Sequence, residues 1–143
     1  MKLEITTDIK IQSTSEKIWK ILMDFKQYPQ WNPFVKSIEG NTSIGSKLNA
    51  QLQDMKFAPV VVECKKEKEF RWLGHLFFKG LFDGEHSFRL VDNQDGTTTF
   101  VHSEKFKGIL VRLMKKKLTT DIVEGFKEMN LALKNRVEGQ SKN

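Results

Sequence analysis

Cysteine and long apolar runs are nearly absent from this chain of 143 residues. The single cysteine, Cys64, cannot form an internal disulfide, so the chain does not require an oxidising compartment. No apolar run approaches the roughly 18 residues of a membrane-spanning helix. The first residues, MKLEITTDIKIQ, alternate polar with apolar side chains and carry charges, unlike the apolar core of a signal peptide. We therefore expect a soluble, cytoplasmic protein.

The sequence also lacks the common motifs of catalysis and cofactor binding. It contains no Gly-rich phosphate loop, no nucleophile elbow and no His-Glu-x-x-His zinc motif. Of the three histidines, no two share a strand or a helix turn at a spacing typical of metal ligands. We expect Cys64 to be a small apolar strand residue, and we predict neither a metal nor a cofactor.

Basic residues outnumber acidic ones, but they are scattered along the chain. Lysine and arginine total 24 and aspartate and glutamate total 18, which gives a formal charge of +6. The densest runs, KKEK at 65–68 and KKK at 115–117, are short and contain no aromatic residue. A basic domain without a recognised motif does not indicate specific nucleic-acid binding. We expect only weak association with anionic membrane surfaces.

Length and composition predict one folded domain. With 38% hydrophobic and 29% charged residues, the chain can bury a sizeable core and lacks the composition of a disordered protein. No internal repeat, low-complexity segment or linker interrupts it. We assign residues 1–138 to this domain and residues 139–143 to a polar tail.

The first third of the sequence predicts a strand followed by two short helices. Apolar residues first alternate, as in a β-strand, at Leu3, Ile5, Ile9 and Ile11. Their spacing then becomes three and four residues, as on one face of an α-helix, at Ile18, Ile21, Leu22 and Phe25. Pro29 and Pro33 end this helix but allow a second short helical turn between them.

The rest of the sequence predicts a sheet and then one long helix. Turn residues such as Asp95-Gly96 separate six expected antiparallel strands, at about 34–39, 46–54, 57–67, 69–79, 82–92 and 97–107. After Gly108, apolar residues recur at helical spacing and form one long stripe: Leu110, Met114, Leu118, Ile122, Phe126, Met129, Leu133 and Val137. Leu113 and Val123 flank this stripe. Such a helix would be about 40 Å long, and only the inner face of the sheet offers an apolar surface of that length.

This order of elements and two local motifs resemble the polyketide cyclase/dehydrase-like branch of the START-like (SRPBCC) superfamily. YPQWNPFV at 28–35 is similar to that group's aromatic-Pro-x-Trp-Asn-Pro-Phe segment. Residues 80–110 are similar to its Gly-x-His-x-Phe hairpin and the Phe-x-His-x-Glu-x-Phe-x-Gly strand that follows. The resemblance covers nearly the whole chain.

The resemblance implies an α+β helix-grip fold. In this fold, a curved antiparallel sheet of about seven strands wraps around a long C-terminal helix, with two short helices after the first strand. It does not imply one activity, because the branch includes cyclases, carriers of lipids and other hydrophobic ligands, and members without an assigned role.

The strand TTTFVHSEKFKG, 97–108, mixes aromatic and ionisable residues on one side. If that side faced water, His102 and Glu104 would be ordinary surface residues; if it faced the interior, two ionisable groups would be buried. In a helix-grip fold, Phe100 and Phe106 face inward and bring His102 and Glu104 with them. The same alternation on the preceding strand predicts that His86, Phe88 and Leu90 also face inward. Aromatic walls with a few convergent polar groups are typical of a ligand cavity.

Three roles remain open for His102 and Glu104. Their side chains, two residues apart on one strand, can lie within about 7 Å of each other. They could form an internal pair that fixes the packing of the strand, bind a ligand through hydrogen bonds, or act in acid–base catalysis. We interpret His86 as a lone core histidine unless it points at the same cavity.

Residues outside these two strands are further candidates for the cavity. Trp31 belongs either to a packed hinge, in which Asn32 stabilises the turn beside Pro33, or to a lid. Trp72 and His75 lie on opposite faces of their strand, and the pattern does not choose between them, because a bulge at Gly74 would shift the alternation. The candidate ligand-binding residues are Trp31, Phe34, Trp72, His86, Phe88, Phe100, His102, Glu104, Phe106, Phe126 and Met129.

These features favour a cytoplasmic module that binds a hydrophobic or amphipathic small molecule, such as a lipid, an isoprenoid or an aromatic metabolite, between the sheet and the long helix. The alternative is a cyclase, dehydratase or hydrolase that uses His102 as base and Glu104 as orienting carboxylate. It ranks lower because the sequence offers no third catalytic group at a fixed spacing. A second alternative is a membrane-surface or protein-interaction domain, motivated by the lysines at 115–117. A monomer and a homodimer both remain open.

Overall fold

The computed structural model describes residues 2–76 and 79–141, which form an α+β fold. The chain begins with β1 (Lys2–Ile11), α1 (Ser15–Met23), a 3₁₀ turn (Phe25–Gln27) and α2 (Tyr28–Trp31). A three-stranded sheet follows, made of β2 (Val35–Glu39), β3 (Asn49–Leu52) and β4 (Met55–Phe57).

The larger sheet has five strands in the order β1-β8-β7-β6-β5. Its remaining members are β5 (Val60–Lys65), β6 (Glu69–Leu76), β7 (Phe82–Asp92) and β8 (Thr98–Lys107), and every pairing in it is antiparallel. The chain continues through α3 (Val111–Lys117), a π-helical turn (Leu118–Ile122) and α4 (Val123–Ser141). This arrangement confirms the helix-grip fold predicted from the sequence.

The core lies between the larger sheet and the C-terminal helix. Alternate residues of β8 face this core: Phe100, His102, Glu104 and Phe106. Each has no more than 9% of its surface exposed. The helix contributes its own buried stripe, comprising Phe126, Met129, Leu133 and Val137. The mixed aromatic and ionisable side of the strand at 97–108 therefore faces the interior.

Two details of the sheets differ from the predicted strands. The strand expected at 57–67 is divided into β4 and β5, because Pro59 lacks the N–H group that a continuous ladder needs. The strand expected at 46–54 ends at Leu52, where Gln53 has a φ of 51° and turns the chain into β4. The described part of the chain therefore contains eight strands in two sheets rather than about seven in one.

The long helix is interrupted by the π-helical turn at Leu118–Ile122. Thr119 and Thr120 donate side-chain hydrogen bonds to the carbonyls of Lys115 and Lys116, at 2.9 and 2.8 Å, and such bonds compete with regular helical geometry. Leu113 lies outside the apolar stripe and is 82% exposed. At the other end, α4 continues to Ser141, three residues into the predicted polar tail.

The junction after α2 is held by Asn32. Its Oδ1 accepts hydrogen bonds from the backbone N–H groups of Phe34 (3.0 Å) and Val35 (2.8 Å), as expected for a residue that stabilises this turn. Phe34 then packs against α4 at Gly125, where an added Cβ would lie 2.5 Å from the Phe34 ring. Glycine in the first turn of α4 therefore makes room for the Phe34 ring.

None of the helices in the described ranges, 2–76 and 79–141, combines the length and the apolar character needed to cross a membrane.

Candidate functional site

The pairing of β7 with β8 brings the inward-facing histidines and glutamate together. His86 lies directly opposite Glu104, and Phe88 lies directly opposite His102. His86 is 1% exposed, His102 is fully buried and Glu104 is 9% exposed. Three ionisable side chains therefore meet in the interior, where each needs a polar partner.

His86 forms hydrogen bonds with both of the other ionisable residues. Its Nδ1 lies 3.0 Å from Glu104 Oε1, and its Nε2 lies 2.7 Å from His102 Nε2. His102 and Glu104 are thus coupled through a third residue rather than directly. His86, interpreted from the sequence as a lone core histidine, is the centre of this cluster.

The far end of the cluster is closed by α4 and β1. His102 Nδ1 lies 2.9 Å from Asn130 Oδ1, and Asn130 Nδ2 donates to Thr7 Oγ1 at 2.8 Å. The hydroxyl of Thr7 in turn donates to the backbone carbonyl of His102 at 3.1 Å. The cluster is therefore a continuous chain of hydrogen bonds from Glu104 to Thr7. We call it the Glu104 relay, comprising Glu104, His86, His102, Asn130 and Thr7.

The direction of each bond in the Glu104 relay follows from its Thr7 end. Thr7 has one hydroxyl proton, which the His102 carbonyl accepts, so Asn130 donates its amide N–H to Thr7 and its Oδ1 accepts from His102 Nδ1. A neutral His102 then has a lone pair at Nε2, which accepts the proton of His86 Nε2. One further proton is left to be shared between His86 Nδ1 and Glu104.

His102 is held in its neutral form. Burial lowers its pKa well below the usual 6.5, the charge of His86 lowers it further, and the hydrogen bond to Asn130 only partly opposes these effects. Desolvation therefore outweighs every favourable contact of an imidazolium at this position. A neutral His102 agrees with the bond directions in the relay.

Aromatic side chains fix both histidine rings. The His102 ring stacks on Phe126 of α4, with centroids 3.9 Å apart and an angle of 11° between the planes. The His86 ring stacks on Trp72 of β6, at 4.8 Å and 22°. The face of β6 that carries Trp72 is therefore the inner one, and the pairing of β6 with β7 runs through Gly74 without a bulge.

A cavity of about 140 Å³ lies at the Glu104 end of the relay. It is lined by the hairpin of β3 and β4, the near ends of β6, β7 and β8, and the segment of α3 and the π-helical turn. Most of its walls are apolar, including Phe34, Leu52, Phe57, Phe82, Phe106, Met114, Leu118 and Ile122. Its polar wall residues are Gln53, His75, Glu104 and Lys117.

Glu104 is the only carboxylate among the described residues that line the cavity. Its Oε1 is bound by His86, whereas no described residue makes a hydrogen bond to Oε2. Gly84 provides the space for Oε2, because a Cβ atom at that position would collide with it. The cavity is thus an apolar chamber with one carboxylate oxygen free to accept a hydrogen bond.

The structure divides the predicted site residues into two groups. Phe34, Glu104 and Phe106 line the cavity. The other predicted residues do not line the cavity: Trp31, Trp72, His86, Phe88, Phe100, His102, Phe126 and Met129. Trp31 is half-buried beside Tyr28, and the rest lie in the core. Of Trp72 and His75, the two candidates on β6, only His75 lines the cavity. Its Nδ1 lies 2.7 Å from Asp83 Oδ1 on the exposed side of the sheet.

Sequence reasoning missed the cavity walls contributed by β3, β4 and the start of the C-terminal helix. Gln53, Met55 and Phe57 lie in a hairpin that the pattern did not separate from its neighbours. Met114 and Leu118 belong to the predicted stripe, but the stripe did not show that they border a cavity rather than the packed core. Asn130 was missed because it is one polar residue within an apolar face.

The described residues contain no group of three or more histidine, cysteine, aspartate or glutamate side chains arranged to hold a metal ion.

Solved structures with the same fold include proteins of different roles. A norcoclaurine synthase from Thalictrum flavum has a TM-score of 0.74 at 11% identity, covering 99% of this chain and 97% of that chain. A START superfamily protein from Mycobacterium smegmatis has a TM-score of 0.72 at 22% identity, covering 96% and 98%. The di-domain ARO/CYC StfQ of the steffimycin biosynthetic pathway has a TM-score of 0.77 at 10% identity, covering 100% of this chain and 53% of that chain. At these identities, the similarity shows the fold alone.

The sequence itself carries the family assignment. No curated protein matches it. The family model described as polyketide cyclase/dehydrase and lipid transport matches residues 2–138, nearly the whole chain. The chain therefore belongs to the polyketide cyclase/dehydrase and lipid transport family.

Proposed function

We propose that the protein binds a small, mostly apolar molecule in the cavity and that a neutral hydroxyl group of this ligand donates a hydrogen bond to Glu104 Oε2. The observation that carries the proposal is the free carboxylate oxygen in a mostly apolar chamber. Because Oε2 opens into the cavity, an apolar ligand that displaced water from it would leave the acceptor unpaired, which is costly. A ligand that supplies a donor avoids this cost and gains affinity. The apolar walls supply the rest of the binding energy.

The cavity volume limits the size of the buried part of the ligand. A dry protein cavity of about 150 Å³ can hold one benzene molecule, and the cavity here measures about 140 Å³. One ring or a short branched chain fits this space, whereas a whole lipid tail does not. Among the ligand classes expected from the sequence, the volume favours an aromatic metabolite or a short isoprenoid unit.

The charge of the Glu104 relay favours a neutral donor over a cation. Glu104 and His86 share one proton in addition to the His86 Nε2 proton, so together they carry no net charge whether that proton lies on the histidine or on the carboxylate. An ammonium group would add an uncompensated charge to this apolar site, which is strongly unfavourable. A hydroxyl group completes the hydrogen bonding of Oε2 without changing the charge.

Matched pairs of probe molecules test this proposal. We expect 4-ethylphenol to bind about 10–100 times more tightly than ethylbenzene, the gain typical of a hydrogen bond to a charged group. Affinities would be measured by titration calorimetry and by NMR shifts of cavity residues. Glu104→Gln should remove most of this preference while keeping the binding of ethylbenzene. Glu85→Gln, which alters an outward-facing carboxylate paired with Arg71 at 2.8 Å, should leave it unchanged.

The two parts of the proposal fail separately. If neither probe binds, the cavity is not a ligand site and the binding function is wrong. If both probes bind with equal affinity, the binding function stands and Glu104 does not recognise a hydroxyl group.

A second candidate function is acid–base catalysis, and the Glu104 relay is the observation that favours it. The roles differ from those expected from the sequence, because Glu104 borders the cavity while His102 lies behind it and is held neutral. Glu104 would take a proton from a bound substrate or give one to it, and His86 would exchange a proton with the same carboxylate. Asn130 would keep His102 oriented as the acceptor of His86.

Proton exchange in a ring-sized ketone tests this second candidate. If Glu104 abstracts protons next to a carbonyl, the protein will accelerate hydrogen–deuterium exchange at C2 of cyclohexanone in D₂O, followed by NMR. We expect Glu104→Gln to lower the exchange rate by about 10²–10⁴-fold, the usual contribution of a general base. Exchange at the buffer rate with the unaltered protein would argue for binding without catalysis.

A further inference from the structure

The surface at the start of α3 exposes two large apolar side chains. Ile109 is 73% exposed and Leu113 is 82% exposed, more than any other exposed large hydrophobic residue of the described chain. Ile109 lies one residue before the N-cap of α3 and Leu113 lies in the first turn, so the two exposed side chains are at the same end of the helix. Exposed leucine and isoleucine side chains grouped in this way mark an interaction surface more often than scattered single ones do.

The same surface is strongly basic. Between positions 107 and 117 the chain has no acidic residue and carries five exposed basic ones, Lys107, Arg112, Lys115, Lys116 and Lys117. None of the five forms an ion pair within 4.0 Å with another residue in the described ranges. Lys115 lies two positions from Leu113, about 200° around the helix, and therefore points to another side. We call Ile109 and Leu113, together with Lys107, Arg112, Lys116 and Lys117, the α3 surface.

The α3 surface is held firmly and lies beside the cavity. Backbone N–H groups of Ile109 and Leu110 donate to the carbonyls of Gly80 and Leu81, at 3.3 and 3.0 Å, and Val111 is fully buried. Within the same helix, Met114 and Lys117 line the cavity. The residues next to Leu113 and Lys116 in sequence therefore open into the binding chamber.

We propose that the α3 surface docks on an anionic lipid bilayer, with Ile109 and Leu113 inserted among the acyl chains and the basic residues at the headgroups. Each basic residue near an anionic membrane surface contributes about 1 kcal/mol, and burial of the two apolar side chains adds to this. Docking would bring the wall of the cavity formed by α3 to the bilayer, from which an apolar ligand could enter. This inference stands on the surface itself and goes beyond the proposed binding function.

The combination of charge and apolar exposure favours a bilayer over other partners. A nucleic acid would neutralise the basic residues but would leave Ile109 and Leu113 in water. A second copy docked by the same surface would bring two basic patches together, and like charges at an interface are unfavourable. An anionic bilayer satisfies both kinds of side chain at once.

Vesicle co-sedimentation tests the docking surface. We expect the protein to bind vesicles of phosphatidylcholine with 30% phosphatidylglycerol at low salt, to bind less at 150 mM NaCl, and not to bind pure phosphatidylcholine. Arg112→Gln with Lys116→Gln, which removes two charges on the side of Leu113, should weaken binding about 30-fold, from about 1 kcal/mol for each charge. Ile109→Ser with Leu113→Ser should weaken it by at least 10-fold.

Matched control variants separate the α3 surface from overall charge and exposure. Lys65→Gln with Lys66→Gln removes the same charge from exposed residues at the turn between β5 and β6, and Ile44→Ser changes an apolar residue that is 65% exposed in another loop. Both controls should bind vesicles like the unaltered protein.

Equal losses in the control and α3 variants would overturn the proposal, as would binding to neutral vesicles or a preference for DNA at equal charge concentration. All variants should still bind ethylbenzene, so a failure here is distinguishable from a failure of the cavity proposal.

Discussion

Replacing His86 by leucine is expected to lower the free energy of unfolding by about 3–5 kcal/mol, the usual cost of removing one partner from a buried ion pair. The change leaves the Glu104 carboxylate in a nearly dry site without the ring nitrogen that lies 3.0 Å from Oε1. It also removes the donor to His102 Nε2. Urea unfolding at pH 7.5, followed by circular dichroism, measures the loss.

A double-mutant cycle separates the pair from the individual residues. Replacing both His86 and Glu104 by leucine removes the stranded carboxylate, so the double variant should lose less stability than the sum of the two single variants. The matched control is the cycle of His75 and Asp83, whose Nδ1 and Oδ1 atoms are 2.7 Å apart but whose side chains are 36% and 15% exposed. Because solvent screens that pair, its coupling should stay below about 1 kcal/mol.

The cycle has a clear contrary result. If the single changes add up in the double variant, His86 and Glu104 do not depend on each other for stability, and their contact is incidental packing. The Glu104 relay would then explain neither the position of Oε2 nor the protonation of His102.

Much of the sheet could be predicted because its signals are local. The period of two in β7 and β8 depends only on the alternation of neighbouring side chains, and it assigned the inner and outer faces correctly. The register between the two strands was less accessible. A two-residue Asp-Gly turn would pair Gln94 with Thr97, whereas the structure pairs Asp92 with Thr98 across a longer loop. Only this observed register places His86 opposite Glu104.

The cavity could not be predicted in the same way, because it depends on contacts between distant parts of the chain. Its walls combine the β3–β4 hairpin with Met114 and Leu118 of the C-terminal helix, and no local pattern encodes the distance between them. Whether an inward residue such as Phe88 faces packed neighbours or empty space depends on which side chains fill the opposite layer. The alternation predicts burial, but it does not distinguish core from cavity wall.

The partner of His102 shows the same limit on the helical side. The periodicity placed Phe126 and Met129 on the buried face, and both are fully buried. Asn130 shares that face, and its amide completes the hydrogen bonding of His102 and Thr7. The stripe does not show which partner a single polar residue within it meets, and only the crossing of α4 over β8 and β1 reveals the buried role of Asn130.

Acid is expected to destabilise the protein from about pH 6.5 downward, because of His102. Burial, followed by the charge of His86, holds the pKa of His102 in the folded protein well below 6.5, the value expected for the unfolded chain. Below pH 6.5 the unfolded state therefore binds more protons than the folded state, and stability falls as pH falls. The contribution is fully present above pH 6.5 and is lost at up to about 1.4 kcal/mol per pH unit as the pH decreases toward the folded-state pKa.

Comparison with His102→Gln isolates this contribution. Glutamine can accept from His86 and donate to Asn130 but does not titrate, so the variant should lose less stability than the unaltered protein between pH 6.5 and 5. Other shifted groups act at lower pH. Hydrogen bonds from Thr97 lower the pKa of Asp95. Burial raises the pKa of Asp83, but hydrogen bonds from His75 and Gly80 outweigh it and lower this pKa below 3.8. Urea unfolding at each pH, together with NMR of the His102 ring, provides the test. Parallel stability curves, or a His102 ring that titrates near pH 6.5, would mean that this histidine is solvated and that the relay does not hold it neutral.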